Sequence, residues 1–537
     1  MRRVSTFGQM AGAAIAYTVA LPAAAQQRRV AIVPYIEVSQ SLYADLNRGD
    51  VLTYSTVAVG ADASASTNRV SAQLSYRYER RIAWDKNVGD QDVQSGLAQV
   101  AYKATPSLTL QAGGIATRSR ADIRGAAPGN QVGNLDNISQ VYSVYGGPTL
   151  STHAGPVAVG ASYQVGYTKV ETPNGGTGVG AGQPRRDYYD DSVSQSASVT
   201  AGVAPGAVAP VGIVATAGYD REDAGQLAQR YEGYRARGDV LLPVSPYVAV
   251  TAGVGYERIE TSQKSPVLTA AGAPALDANG RFVTDDASPR QITYRTDGVY
   301  YDAGVVWRPN PRTNAEVHVG KRYGSVSFTG ALSYQASQSV GVAARLYDEV
   351  TTFGQQLRTG LSNLPTSFVA ARDSFVQQYN GCVFGTTGAA PGGCLNSVFQ
   401  SISTASYRAR GIDAILSATR GRSTFGAGAG YANRRLYGDA TQGVTLYGLN
   451  DQSYYGQLFA SRTLSPVSHV DGNLFVNYYD PSTAGSQGVW SYGASANYGH
   501  AFGRLATNAG LGLYSFKAAD VDSVWSAQAQ LAARYSF

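Results

Sequence analysis

Two cysteines are the residues of this sequence whose type and spacing most clearly indicate chemistry. Cys382 and Cys394 are the only cysteines in the chain, and they enclose the segment CVFGTTGAAPGGC. In an exported protein, two thiols at this spacing form a disulfide. Such a bond closes a short ring and contributes roughly 3 kcal/mol of stability. The sequence therefore predicts a structural disulfide between Cys382 and Cys394 that orders a long loop.

The other residue types that commonly serve in catalysis are scattered along the chain and form no recognisable motif. The four histidines form no HExxH motif and no paired metal spacing. The glycine-rich run at 175–182, GGTGVGAG, lacks a preceding buried strand and a following helix, which favours an outer loop over a nucleotide-binding loop. No Ser, His and Asp or Asn set stands out as a hydrolytic triad. We therefore expect a protein that is not an enzyme, with no cofactor and no metal site.

A second group of charged residues lies within segments where apolar and polar residues alternate. If the apolar residues of each segment face lipid, the charges point into a lumen or lie at its rim. These candidate lumen charges are Arg77, Glu79, Arg235, Arg237, Glu257, Asp302 and Arg345. Arginine predominates, and guanidinium groups suit bidentate contacts to the carboxylates of uronic acids or pyruvyl groups. The alternative is that arginines and carboxylates pair with one another and fill the lumen wall.

The elements that must position these charges are long strands. In the segment RVSAQLSYRY, Leu74 and Tyr76 share one face, whereas Ser75 and Arg77 share the other. The same alternation recurs at 156–167, 247–256 and 489–500. A period of two is typical of strands with two different faces. Polar faces would then line a watery lumen.

The final segment, SAQAQLAARYSF, shows the same alternation up to the last residue. Trp525 and Tyr535 lie on its apolar face, separated by roughly 25 Å along the membrane normal at about 3.3 Å per residue and a tilt near 40°. This is the height of the apolar band of an outer-membrane barrel. The strand resembles the carboxyl-terminal signature that the barrel-assembly machinery reads in bacterial outer-membrane proteins. The resemblance implies that Leu531, Tyr535 and Phe537 form this signature, and we expect the last strand to pair with the first.

The start of the chain indicates export. MRR followed by MAGAAIAYTVALPAAA predicts a secretory signal peptide, residues 1–25, rather than a transmembrane helix, because the apolar run is short and ends in small residues. No later run of 18 or more apolar residues occurs, so a membrane-spanning chain has to be a closed barrel. Tyrosines outnumber phenylalanines by 37 to 14, which suits half-wet girdle positions. We expect export through the general secretory pathway to the outer membrane of a Gram-negative bacterium.

The connections between the alternating segments are of two kinds. Short turns are predicted at 66–68, 105–107, 153–155, 205–210, 244–246, 309–312, 336–339, 421–423, 465–467 and 502–504. Long loops are predicted at about 119–136, 172–188, 260–292 and 351–402. Short periplasmic turns and long extracellular loops are the outer-membrane arrangement. The predicted fold is all-β: one antiparallel transmembrane β-barrel over residues 26–537, with roughly 22 strands in a range of about 18 to 24.

A soluble propeller or a stack of sandwiches is the alternative fold. It would show a motif repeated about every 40 to 50 residues, and strands of about five or six residues. The sequence has no such fixed period, and its alternating segments are longer. The barrel is therefore the favoured interpretation.

The longest loop, 351–402, is the candidate constriction of the barrel. Barrels of about 22 strands are wide and need a plug, yet only residues 26–35 precede the first predicted strand, so we expect no N-terminal plug domain. Within the loop, TSFVAARDSFVQQY predicts a helix with Thr366 or Ser367 as its N-cap. The loop either folds over or into the mouth, or lies outward on the surface.

Two further segments carry a narrower resemblance. VYYDAGVVWRPNPRTNAEVHVGKRYGSVSFTGALSYQ, 299–335, and PYIEVSQSLYADLN, 34–47, are similar to the outer-membrane barrel family found with the PEP-CTERM/exosortase exopolysaccharide system. The matching positions are Gly304, Trp307, Arg308, Pro309, Arg312, Thr313, Gly320, Arg322, Tyr323 and Gly324. The resemblance implies association with polysaccharide export loci. The same residues also fit plain hairpin architecture.

Two classes of function follow from these observations. The first is a conduit for an exopolysaccharide or for small polar solutes; the second is a non-conducting barrel that anchors surface or export partners. The expected partners are outer-membrane lipid and lipopolysaccharide, the barrel-assembly machinery, and an anionic polysaccharide with its export proteins. The formal net charge of +6 is too small to indicate nucleic acid.

Overall fold

The structure is a computed structural model. It describes residues 29–85, 89–121, 137–171, 189–279, 281–369, 375, 378–400, 402–438, 450–480, 488–517 and 522–537. The predicted signal peptide and the glycine-rich run at 175–182 lie outside the described residues.

Long antiparallel strands make up nearly all of the described chain. In chain order the strands are β1 Arg29–Asp45, β2 Val51–Ser66, β3 Val70–Ala83, β4 Gln91–Lys103, β5 Leu108–Arg120, β6 Ile138–Ala154, β7 Val157–Glu171, β8 Asp191–Val203, β9 Gly212–Ala224, β10 Arg230–Pro243, β11 Val248–Gln263, β12 Gln291–Asn310, β13 Thr313–Arg322, β14 Ser325–Gln335, β15 Val340–Thr351, β16 Phe368–Val369, β17 Cys382–Thr387, β18 Ala390–Cys394, β19 Tyr407–Arg420, β20 Ser423–Leu436, β21 Asn450–Ser465, β22 Ser468–Asp480, β23 Val489–Phe502, β24 Leu505–Lys517 and β25 Val524–Ser536. One α-helix, α1, spans Phe353–Ser362, and 3₁₀ turns occur at Gln226–Ala228 and Val398–Gln400. Strands β16 to β18 form a separate small sheet.

The other strands form a single 22-stranded sheet that closes on itself. The first and last strands pair in antiparallel register from Tyr35 opposite Ser536 to Asp45 opposite Ser526. The Phe537 N–H extends this seam by donating to the Pro34 carbonyl at 3.0 Å. The predicted barrel and strand number are confirmed, and the soluble alternatives are excluded.

Short connections lie at one end of the barrel and long ones at the other. All ten turns predicted to be short join consecutive strands, and both described ends of the chain lie on their side. This is the periplasmic end of an outer-membrane barrel. Some connections at the opposite end are short as well, such as 46–50 and 225–229. The tightest of these is the two-residue turn of Tyr323 and Gly324, whose φ angles of 52° and 73° suit a tight hairpin.

The outer surface of the barrel is apolar. On the last strand, Leu531 and Phe537 are 68% and 62% exposed, whereas Gln528, which points inward, is 5% exposed. The same alternation exposes Val254, Val299 and Leu511 on other strands. An apolar exterior on a closed barrel is the surface that lipid covers. Among the described residues, no helix has the length and hydropathy needed to cross a membrane.

Candidate functional site

The connection between β15 and β19 enters the barrel. We call its described residues, 352–369, 375, 378–400 and 402–406, the lumen loop. Inward side chains of three wall strands bind it: Gln73 of β3, Gln99 of β4 and Gln457 of β21 donate to or accept from its backbone. The sequence left open whether this loop lies outside or inside. In the structure it lies in the lumen.

The lumen loop begins with α1, which packs against β5 to β8. Phe353, Leu357 and Leu361 recur every four residues and are fully buried, so they form one apolar stripe. The stripe packs in one cluster with apolar side chains of the inner wall, which are Leu97, Ile115, Val141, Tyr145 and Val170. An apolar patch on the lumen face of the wall therefore holds the helix.

The N-terminus of α1 is fixed by a buried carboxylate. Thr352 caps the helix by accepting from the Gln355 N–H at 3.3 Å. The Thr352 hydroxyl in turn donates to Glu222 at the outer end of β9, and the Tyr189 hydroxyl donates to the same carboxylate at 3.1 Å. A carboxylate at this position also complements the positive end of the helix dipole.

Arg358 lies on the buried side of the same helix. Burial lowers the pKa of Arg358, because desolvation disfavours the charged guanidinium, while Asp220 at 3.9 Å opposes this effect. The helix thus binds the wall through apolar packing, a carboxylate at its start and a buried ion pair.

The segment after α1 differs from the sequence prediction. Phe368–Val369 forms strand β16, so the helix predicted to start at Thr366 or Ser367 is wrong at its start; much of its remainder lies outside the described residues. The segment pairs with β17, and a side chain of the wall binds its other edge. The Gln73 amide donates to the Phe368 carbonyl and accepts from the Phe368 N–H, both at 2.8 Å. Gln73 therefore acts as a strand partner for the loop, and we call this pair of hydrogen bonds the Gln73 latch.

Cys382 and Cys394 lie opposite each other on β17 and β18 and form a disulfide. Both sulfurs rest on Gly428 of β20, where a Cβ atom would collide with them. The Cys382 N–H donates to Gln457 of β21 at 2.8 Å. The disulfide hairpin is therefore seated against the inner wall.

The tip of this hairpin reaches the periplasmic end of the barrel. The Gly388 N–H donates at 2.8 Å to the carbonyl of Gln338, which lies in the short turn between β14 and β15. Gly341 of β15 leaves room for the tip, since a Cβ there would overlap the Gly388 carbonyl. The lumen loop thus runs through the lumen from the long-loop end to the short-turn end.

The candidate lumen charges are all ion-paired, at distances of 2.5 to 3.5 Å. The pairs are Arg77 with Glu37 and Glu79, Glu79 with Arg81, Arg235 with Asp220, Arg237 with Asp239 and Asp302, Glu257 with Arg322, and Arg345 with Glu349. The structure thus matches the alternative in which arginines and carboxylates fill the wall. These positions carry no surplus of positive charge for an anionic cargo.

The extracellular end is bridged by contacts between distant strands. The Tyr231 hydroxyl of β10 donates to the Val350 carbonyl of β15 at 3.0 Å, and the rings of Tyr294 and Tyr437 stack at 4.1 Å. Arg281, in the loop between β11 and β12, donates to the Val170 carbonyl at 2.8 Å. These contacts tie the mouth together above the lumen loop.

A cavity of about 520 Å³ remains in the periplasmic half of the lumen, and we call it the basal cavity. Its wall is the inner face of β1 to β3 and β21 to β25, and Val369 of the lumen loop also lines it. Its inward polar side chains are Glu37, Asp62, Ser64, Gln73, Ser75, Arg77, Ser461, His469, Asp471, Asn497, Asn508, Gln530 and Arg534. Its volume falls in the range of small-molecule sites.

One functional feature, the apolar patch on the inner wall, escaped the sequence interpretation. Assigning every apolar side chain to the lipid face hid the inner patch of Leu97, Ile115 and Val141. The sequence did carry a signal for this patch, because β4 has Val93 and Leu97 on the same face as Ser95 and Gln99.

Within the described part of the chain, no cluster of His, Cys, Asp and Glu is arranged to hold a metal ion.

A closed 22-stranded barrel with a lipid-facing exterior defines the class of this protein: it is an outer-membrane β-barrel protein of a Gram-negative bacterium. No protein-family model and no curated protein sequence matches the chain.

Similar solved structures are outer-membrane barrels. The FrpB iron transporter from Neisseria meningitidis has 10% identity and a TM-score of 0.43, over 94% of this chain and 82% of that chain. The ferric-catecholate import receptor Fiu from E. coli K12 has 9% identity and a TM-score of 0.42, over 94% of this chain and 81% of that chain.

Proposed function

We propose that the protein is a gated conduit for polar solutes across the outer membrane, with the lumen loop as its gate. The observation that supports this most directly is the path of the loop from Thr352 at the outer end to Gly388 beside Gln338 at the periplasmic end. A barrel of this width needs a plug to keep the membrane sealed. A loop joined to neighbouring strands can leave the lumen without breaking the wall.

The attachment of the segment after α1 supports a gate rather than a fixed filling. Whereas α1 packs on the apolar wall patch, the later segment is held in part by neutral side-chain amides, such as Gln73 and Gln457, which bind loop backbone. Neutral hydrogen bonds of this kind contribute about 1 kcal/mol each and exchange readily for bonds to water. The wall strands are held by continuous backbone ladders that do not involve the loop.

Planar-bilayer recording tests this function. We expect the intact barrel to be closed or nearly so, and a variant with residues 353–405 replaced by a Gly-Ser linker to show large, stable conductance steps. As a matched control, shortening the loop at 264–290 should leave the lumen closed, since the lumen loop still fills it. Heat-modifiable migration on gels verifies that each barrel has folded.

The second candidate is a non-conducting barrel that anchors export or surface partners. The paired charges along the inner wall favour it, because they fill space without offering a path for ions. A folded barrel that stays silent after removal of the lumen loop would contradict the conduit and support this candidate.

We further propose that the cargo belongs to exopolysaccharide export. The support is the resemblance of segments 34–47 and 299–335 to the PEP-CTERM-associated barrel family. Deleting the gene should lower the polysaccharide recovered from the cell surface and raise the amount held in the periplasm. Unchanged amounts in both fractions would contradict this narrower proposal and leave the conduit untouched.

A further inference from the structure

We propose that the basal cavity is a binding site for a neutral, hydroxyl-rich solute of small-saccharide size. The proposal rests on the conduit function, because it assigns the cavity to cargo held on the periplasmic side of the gate. It replaces the anionic cargo that the arginine content of the sequence suggested.

The charged groups that line the cavity are largely occupied by one another. Arg534 binds Asp62 at 2.7 Å, and the Ser75 hydroxyl donates to the same carboxylate at 2.6 Å. Arg77 binds Glu37 at 2.9 Å. An ionic ligand would have to separate these pairs in a partly buried site, where an uncompensated charge is costly.

Neutral amides and hydroxyls line the same cavity. Asn497 of β23 is one of them; its Oδ1 atom is buried and has no hydrogen-bond partner within the described residues, so a solute reaches it when the side chain turns. Asn508 of β24 and Ser461 of β21 also line the cavity, as does Gln530 of β25, whose amide donates to Ser39 at 3.3 Å. Amides and hydroxyls both donate and accept, as the hydroxyl groups of a polyol do. An anionic ligand would use only the hydrogen-bond donors among these amides and hydroxyls, and a cationic ligand would use only their acceptors.

The cavity also offers an apolar surface. Phe459 of β21 and Val369 of the lumen loop line it. A saccharide has both hydroxyl groups and apolar C–H faces, so it can use the amides and this surface together. Because Gln73 lines the cavity while binding Phe368, a bound solute lies beside the latch that holds the gate.

Ligand-observed NMR on the detergent-solubilised full chain tests the site without requiring transport. The probes are sucrose, glucuronate and glucosamine, which are neutral, anionic and cationic. We expect saturation transfer to sucrose, and weaker transfer to the two ions. The double variant Asn497→Leu and Asn508→Leu should bind sucrose about tenfold more weakly, whereas Asn477→Leu, an inward residue of β22 outside the cavity lining, should bind it normally.

Three results would overturn the proposal: no transfer to sucrose, undiminished transfer to sucrose in the double variant, or stronger transfer to glucuronate than to sucrose. If the leucines prevent barrel formation, Asn497→Ala provides the same comparison at one position. Failure of the site is distinct from failure of the conduit, since conductance after removal of the lumen loop does not depend on sucrose binding.

Discussion

Breaking the Gln73 latch should loosen the lumen loop by a measurable factor. Gln73→Ala removes two neutral hydrogen bonds, each 2.8 Å long, to the backbone of Phe368. At about 0.5 to 1.5 kcal/mol per bond, docking of this segment weakens by about 1 to 3 kcal/mol. Since 1.4 kcal/mol corresponds to a factor of ten, the undocked fraction should rise roughly 5- to 150-fold.

Hydrogen–deuterium exchange measures this change directly. The Phe368 N–H donates to Gln73, so its protection should fall by the same factor in the variant. Protection of β3 and β4 should persist, because their backbone ladder does not use the Gln73 side chain. Gln111→Ala is the matched control, since Gln111 is an inward glutamine of β5 that, within the described residues, makes no hydrogen bond to the lumen loop. Equal exchange of Phe368 in wild type and Gln73→Ala would refute the latch.

Three further changes have defined outcomes. Deleting Phe537 should lower the amount of heat-modifiable barrel in the outer membrane, because the seam loses its last backbone bond and its aromatic anchor; wild-type abundance would contradict this. Thr352→Ala should destabilise the start of α1 by about 1 kcal/mol, seen as faster exchange of its first-turn amides, whereas Thr352→Ser should not. In the barrel lacking the lumen loop, Arg237→Gln should shift ion selectivity toward cations, because two paired carboxylates lose their counter-charge; an unchanged reversal potential under a salt gradient would oppose this.

The barrel could be predicted from the sequence because each strand and each short turn is marked by residues within its own segment. Alternation with a period of two marks each strand, and the ten short turns are where the structure has them. The chain's two cysteines lie opposite each other on one hairpin, which a spacing argument anticipates. Strand number and closure then follow from counting.

The interior of the barrel depends on neighbours that are distant in sequence. Arg237 on β10 and Asp302 on β12 meet only because β11 sets their register. The sequence predicts a helix after Thr366, whereas α1 lies earlier, at Phe353–Ser362, in a segment whose Gly354 and Gly360 lower its intrinsic helix propensity. In α1 the buried wall patch outweighs propensity, and pairing with β17 together with Gln73 makes Phe368 part of a strand.

The seam between β1 and β25 brings together two parts of the wall that hold one segment. It joins strands from opposite ends of the described chain. The lumen loop is bound by Gln73 of β3 and Gln99 of β4 on one side of the seam, and by Gln457 of β21 on the other. Only the closed ring presents both sets of side chains at once. Full seating of the lumen loop and closure of the barrel are therefore coupled, and each stabilises the other.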